Sequence, residues 1–258
     1  MPEVTKYQPG TFCWVELAAR GVNDAKKFYK EIFAWSYDDV PIPGGGVYTM
    51  CKVRDRDVCA LSEQREETIA QGVPPHWLAY ISVTNADAIA QRAGELGGHV
   101  LASPFDVMDV GRMAILADPT GAFFALWQPG KHFGAGLLRE AQAMEWNELS
   151  TTDPAAAQRF YTSLFGWTTR EASGAGMEYI DFALGEYMVG GMMKAQPGMP
   201  SAWVTYFSVV DPDGSSKSTA SLGGTVLLAP MDIPGVGRIA VLQDPQGSVF
   251  GVVRMVKK

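Results

Sequence analysis

A chain of 258 residues, 47% of them hydrophobic, is long enough to bury two ordinary cores, and a formal net charge of −7 offers no basic face to nucleic acid or to an anionic membrane. No apolar run approaches the ~20 residues that span a bilayer, and Met1–Gly10 lacks the apolar stretch of a secretory leader, so a soluble, cytoplasmic protein is expected, monomeric or homodimeric. Three cysteines, Cys13, Cys51 and Cys59, all fall in the first half without a CxxC spacing, which suits small apolar fillers in a reducing compartment better than a disulfide framework.

Phe12 to Leu17 reads as a strand. A helix capped at or near Asp24 follows and runs to about Phe33, with Phe28, Ile32 and Trp35 spaced to form one buried stripe. Pro41 to Gly46 is a turn-rich break, and its glycine run Gly44-Gly45-Gly46 precedes a strand, so it does not form a phosphate cradle at a helix start. Val47–Val53 and Asp57–Leu61 alternate as strands, and Glu63 to Gln71 is a polar loop or short helix. Trp77–Val83 opens a second cycle: strand, helix over about Asp87 to Leu96 ended by Gly97-Gly98, then strands near Val100-Leu101, Arg112–Ala117 and Ala122–Trp127. Asp118-Pro119-Thr120-Gly121 is a tight turn between the last two.

The order then starts again. Phe28-Tyr29 and Phe33…Trp35 return as Phe160-Tyr161 and Phe165…Trp167 at an offset of 132, and Trp14…Glu16-Leu17 returns as Trp146…Glu148-Leu149 at the same offset. Trp77 to Gly98 matches Trp203 to Gly224, Gly111-Arg112 matches Gly237-Arg238, and the turn Asp118–Gly121 matches Asp244–Gly247, all at 126. The six-residue difference falls between Trp35 and Trp77, where loops absorb it. The second copy carries a helix over Ala155–Leu164 and a weak Ser/Gly-rich helix near Ser215–Leu222. Two domains are therefore expected, residues 1–130 and 144–258, joined by a linker at 131–143. Each domain is a pair of βαβββ modules. Because several strands follow each helix, the fold class is α+β, with curved and mostly antiparallel sheets.

The four modules, the FYxxxFxW helices, the W-x-E-L strands and the D-P-x-G turns resemble the glyoxalase/bleomycin-resistance/dioxygenase (vicinal oxygen chelate) superfamily over about residues 8 to 256. The doubled form is similar to a tandem subgroup that includes the mycobacterial glyoxalase-like secreted antigen and actinobacterial "hydroxylase" proteins. The resemblance implies curved sheets that form clefts, with a divalent metal in catalytic members. It places the metal-ligand positions at Trp14 and Trp146 on the opening strands, near Leu78 and Val204 on the third, and at Ala125 and Gly251 on the closing strands. None of these side chains binds a divalent ion, so no metal cofactor is expected, a divalent metal being the alternative. His76 lies two residues from a ligand position and reads as a strand cap; His99 and His132 read as surface residues.

Residues two apart on a strand share a face. Trp14 thus shares its face with Glu16, Trp146 with Glu148, and Tyr80 and Tyr206 stand two beyond the vacant third-strand positions. Phe123 and Trp127 flank Ala125, while Tyr48, Tyr179, Arg112 and Arg238 are duplicated polar-tipped residues. Glu16 and Glu148 are candidate proton-transfer groups, and the aromatics and arginines are candidate ligand contacts. The alternative reading makes the carboxylates structural ties and the tyrosines core, and for Arg112 and Arg238 a structural tie is the preferred reading, because Gly-Arg also suits a bulged strand edge. Asp106 and Asp232 read as local turn residues, as do Asp118 and Asp244. The function expected is binding of an aromatic or carbonyl-containing metabolite. The alternative is a lyase, isomerase or oxygenase-type enzyme of detoxification or secondary metabolism, and a third reading is a scaffold that works through its surface.

Overall fold

The computed structural model describes residues 4–43, 45–172 and 178–256; Gly44, in the glycine run discussed above, lies outside them. The first half runs β1 (Phe12–Ala19), α1 (Val22–Phe33), β2 (Ser36–Pro41), β3 (Val47–Val53), β4 (Arg56–Glu63), α2 (Glu66–Ala70), β5 (His76–Ser82), α3 (Ala86–Glu95), β6 (His99–Val107), β7 (Gly111–Ala117) and β8 (Phe123–Pro129). The second half runs β9 (Met144–Thr151), α4 (Pro154–Phe165), β10 (Thr168–Glu171), β11 (Tyr179–Leu184), β12 (Tyr187–Lys194), β13 (Ala202–Ser208), α5 (Pro212–Ser221), β14 (Thr225–Ile233), β15 (Gly237–Gln243) and β16 (Val249–Met255).

Each half forms one mixed, open, eight-stranded sheet, in the order β2-β3-β4-β1-β5-β8-β7-β6 and then β10-β11-β12-β9-β13-β16-β15-β14. The repeat legible in the sequence is thus a repeat of topology. The opening strands β1 and β5 run antiparallel at the centre of the first sheet, each with a parallel partner, β4 and β8, on its far side. The second sheet repeats this with β9 and β13.

Local chemistry explains the helix limits. Asn85, Asp153 and Asp211 each accept a backbone N–H of the first turn, as short polar side chains do at an N-cap. Helix α1 differs from the expectation of a cap at Asp24: it begins after Gly21 with no side-chain cap, and Asp24 lies inside its first turn. Glu63 accepts the Val22 N–H at 3.1 Å instead. The α1 and α4 helices both close on a left-handed residue, Ala34 and Gly166.

One face of each sheet, with its helices, packs against the other half, and a single buried cluster spans both. Tyr29 of α1 donates to Asp244 Oδ2 (2.9 Å) and accepts from Trp77 Nε1 (3.0 Å). Its counterpart Tyr161 faces Asp118 and accepts from Trp203 Nε1 at 2.8 Å. The D-P-x-G aspartates therefore do more than shape their own turns. One oxygen of Asp118 holds the Thr120 and Ala122 N–H groups, one of Asp244 holds those of Gln246 and Ser248, and each carboxylate also meets a tyrosine from the other half. Trp35 Nε1 reaches the Gln142 carbonyl and Trp167 Nε1 the Gly10 carbonyl, both at 2.8 Å. Stacked and edge-on rings among Tyr29, Phe33, Trp35, Phe207 and Phe250 fill the rest of the interface.

Candidate functional site

With the helices occupying one face of each sheet, the opposite faces form the two clefts. In the N-terminal cleft, strand alternation brings Trp14 and Glu16 of β1, Tyr48 of β3, Tyr80 of β5 and Trp127 of β8 onto one surface. Glu16 Oε2 accepts from the Tyr80 and Tyr48 hydroxyls at 2.8 and 3.0 Å, and its Oε1 accepts from Ser62 Oγ at 2.5 Å. Trp14 Nε1 donates to the Tyr48 oxygen at 3.0 Å. Burial, then the adjacent Glu16 charge, pushes the Tyr48 and Tyr80 hydroxyls well above the ordinary phenol range, so they remain donors.

The C-terminal cleft repeats the chain of contacts. Tyr206 donates to Glu148 Oε1 at 3.0 Å, Tyr179 faces the same carboxylate, and Trp146 Nε1 donates to the Tyr179 oxygen at 2.9 Å. Burial raises the Glu148 carboxyl above its usual range, against the lowering effect of the neighbouring Tyr206 and Tyr179 hydroxyls. A carboxyl in that condition is nearer to the protonation balance that acid–base chemistry needs.

The sequence-derived set is thus largely brought together: Trp14, Glu16, Tyr48, Tyr80 and Trp127 in one cleft, Trp146, Glu148, Tyr179 and Tyr206 in the other. The two arginines lie elsewhere. Met113 and Ile115 of β7 take the cleft face, so Arg112 points to the helix face. There it forms a fork with Asp87 (2.7 and 2.8 Å) and a bond to Asp106 (2.9 Å). Arg238 does the same with Asp213 and Asp232. Asp106 and Asp232 accordingly serve these ion pairs in addition to their place near a turn. His76 caps its strand, with Nδ1 2.8 Å from the Pro74 carbonyl. His132 departs from the surface placement expected of it: it is half-buried, edge-on to Trp14 with ring centres 4.7 Å apart and 6.0 Å from Trp127, and burial lowers its pKa.

Two cleft residues escaped the sequence reading. Ser62 lies two positions beyond Ala60 on β4, and the same alternation that placed Glu16 would have found it. Asp181 lies two positions beyond Tyr179 on β11, where the first half has Met50, and burial raises its carboxyl pKa.

A model of the Glyoxalase/Bleomycin resistance protein/Dioxygenase superfamily matches residues 11–126. "Putative glyoxylase CFP32" of Mycobacterium tuberculosis is 42% identical over 257 residues, 98% of either chain. This chain belongs to that superfamily. "Anthracycline biosynthesis protein DnrV" of Streptomyces peucetius is 32% identical over 266 residues, covering 98% of this chain and 96% of its own. Among solved structures, the Mn(II)-bound glyoxalase from Novosphingobium aromaticivorans superposes with a TM-score of 0.65 at 12% identity, over 97% of this chain and 83% of that one. The 2,3-dioxygenase LapB from Pseudomonas sp. KL28 gives 0.64 at 14% identity, over 95% and 91%. These last two likenesses are of fold.

Within the superfamily fold, the positions at which the sequence resemblance puts metal ligands hold Trp14, Leu78 and Ala125 in one half and Trp146, Val204 and Gly251 in the other. Indole, aliphatic and glycine positions give a hard cation no side-chain lone pair. Among the described residues no group of three or more His, Cys, Asp or Glu is placed to hold a metal ion. At those six positions the side chains present offer a divalent ion no ligand. Among the same residues no helix is long and apolar enough to cross a membrane.

Proposed function

We propose that this protein binds a small aromatic or carbonyl-containing molecule on an aromatic and carboxylate surface that stands where its metal-dependent relatives carry their ion. The observation that carries this reading is the chain Trp146–Tyr179–Glu148–Tyr206, repeated as Trp14–Tyr48–Glu16–Tyr80. Flat rings supply apolar area, and a carboxylate oriented by phenols supplies one directional polar contact, the usual make-up of a small-molecule site. The name of the streptomycete relative, an anthracycline biosynthesis protein, favours a fused aromatic ligand. The name of the mycobacterial relative favours a carbonyl compound.

The donor set argues for binding without a metal cofactor. Were turnover to accompany binding, Glu148 is the group to accept a proton, since its carboxyl is already raised by burial. The test is native mass spectrometry with elemental analysis of freshly purified protein. The expected result is an organic adduct with less than stoichiometric divalent metal. One tightly held divalent ion per domain would overturn the metal-free reading.

A further inference from the structure

The two clefts share a constellation but not a shape. In the N-terminal half, Cys13, Trp14, Ala60, Leu78, Tyr80, Ala125, Trp127 and Ala135 form a closed buried cluster. Part of its cover is the segment between the domains: the Trp127 indole donates to the His132 carbonyl at 2.9 Å, the His132 ring lies against Trp14, and Ala135 N–H bonds the Cys13 carbonyl at 2.8 Å. The Trp127 ring also spreads over Gly111, where any Cβ would strike it. Glu16 already accepts three hydroxyl bonds.

Several of these features differ in the C-terminal half, although Val253 and Tyr206 stay as buried as Trp127 and Tyr80. Val253 replaces Trp127, Met193 replaces Ser62, and Val204 replaces Leu78. Gly191 and Gly251 stand where the first half has Ala60 and Ala125; a Cβ at either would run into Tyr179 or Tyr206, so those rings lie down against the backbone. Trp146 and Val204 are half-buried, whereas Trp14 and Leu78 are only 3% and 7% exposed. Leu228 and Met231, paired in register with cleft-facing Val241 and Ile239, are exposed. Beyond Val253, at the end of the sheet and separate from Glu148, a cavity of about 560 Å³ is lined by residues 232–235, Gly237, Arg238 and residues 254–256. Glu148 accepts one hydroxyl at hydrogen-bond distance, from Tyr206, where Glu16 accepts three, which leaves lone-pair capacity free.

We infer that the ligand is taken by the C-terminal cleft alone, its apolar body on the β14–β16 wall and its polar end donating a hydrogen bond to Glu148, while the N-terminal cleft has become core. The ligand class is a flat apolar molecule with a phenolic or enolic hydroxyl. This rests on the small-molecule reading above.

The test is isothermal titration calorimetry with 2-naphthol and 2-methoxynaphthalene, which have the same ring system with and without the donor proton. One 2-naphthol per chain is expected, with the ether bound about tenfold more weakly, the scale of a lost hydrogen bond to a charged acceptor. Val253→Trp, which copies the first half, should abolish binding. Glu148→Met, which removes the acceptor at a half-buried position, should erase the preference for the naphthol, so the test stands even should the bulkier variant fail to fold. Two naphthols per chain, or both variants binding like the parent, overturn the inference and leave the small-molecule reading intact. Absence of binding to either probe by the parent protein also overturns the inference, while the small-molecule reading stands or falls on the native mass spectrum.

Discussion

The face shared by the two halves and the faces turned away from it have had different histories. Across the shared face Trp77 donates to Tyr29 and Trp203 to Tyr161 at nearly the same length, and each tyrosine faces the D-P-x-G aspartate of the other half. In the clefts only the Trp–Tyr–Glu–Tyr chain survives in both copies, while Trp127, Ser62, Ala60, Ala125 and Met50 are answered by Val253, Met193, Gly191, Gly251 and Asp181. Interface residues meet partners that must fit them on both sides, so each change is penalised twice. A cleft residue faces solvent or a ligand, and its replacement is judged by that ligand alone.

The comparison breaks most readily at the interface. Phe250→Ala and Phe124→Ala each remove a fully buried ring, Phe250 facing Tyr29 and Phe124 facing Tyr161. Each should lower stability by about 3–5 kcal/mol in denaturant titration, and both should do so through one transition shared by the whole chain. Two separate transitions would show that the halves are not one cooperative unit.

Glu148→Gln probes the cleft side with a smaller effect. The Glu148 carboxyl is raised in the native state above its ordinary value of 4.5. Between that value and the higher native one the native state holds more protons than the unfolded state, so stability falls as pH rises through this window. The substitution should flatten that part of the stability–pH curve measured by thermal melts. An unchanged slope would mean that Glu148 is as well solvated as in the unfolded chain.

The smallest effect is expected at the arginines. Arg112 and Arg238 pair with aspartates that are largely exposed. Arg112→Met and Arg238→Met should each shift stability by about 1 kcal/mol or less, and less still at high salt. A loss of several kcal/mol in either would place these ion pairs among the principal ties of the fold.

The fold was legible because duplication is visible without any partner sequence: Phe28-Tyr29 and Trp35 recur as Phe160-Tyr161 and Trp167 at constant spacing. The edge strand β2 was harder to see. Its Ser36–Pro41 sequence is almost wholly exposed and carries two aspartates, so neither apolar alternation nor propensity marks it. Much of the site was legible through the two-residue period, which carries a side-chain direction along one strand. It does not fix direction across a hairpin, and for that reason Arg112 and Arg238 could be grouped with the cleft when their neighbours Met113 and Ile239 hold that face. His132 was opaque for a different cause: nothing local in a linker tells where its backbone will be pinned, and here the Val110 carbonyl takes its N–H while the Trp127 indole donates to its carbonyl.

The crossed pairing of Tyr29 with Asp244 and Tyr161 with Asp118 is the arrangement of a two-fold dimer in which each subunit inserts a tyrosine into its mate. In a true homodimer, any mutation appears on both sides at once, and a pocket cannot be remodelled in one place while its twin is left sealed. Tethering the twins into one polypeptide removes that obligation. A single codon can then change Val253 without touching Trp127, and asymmetry becomes heritable while the symmetric seam that holds the molecule together is left alone.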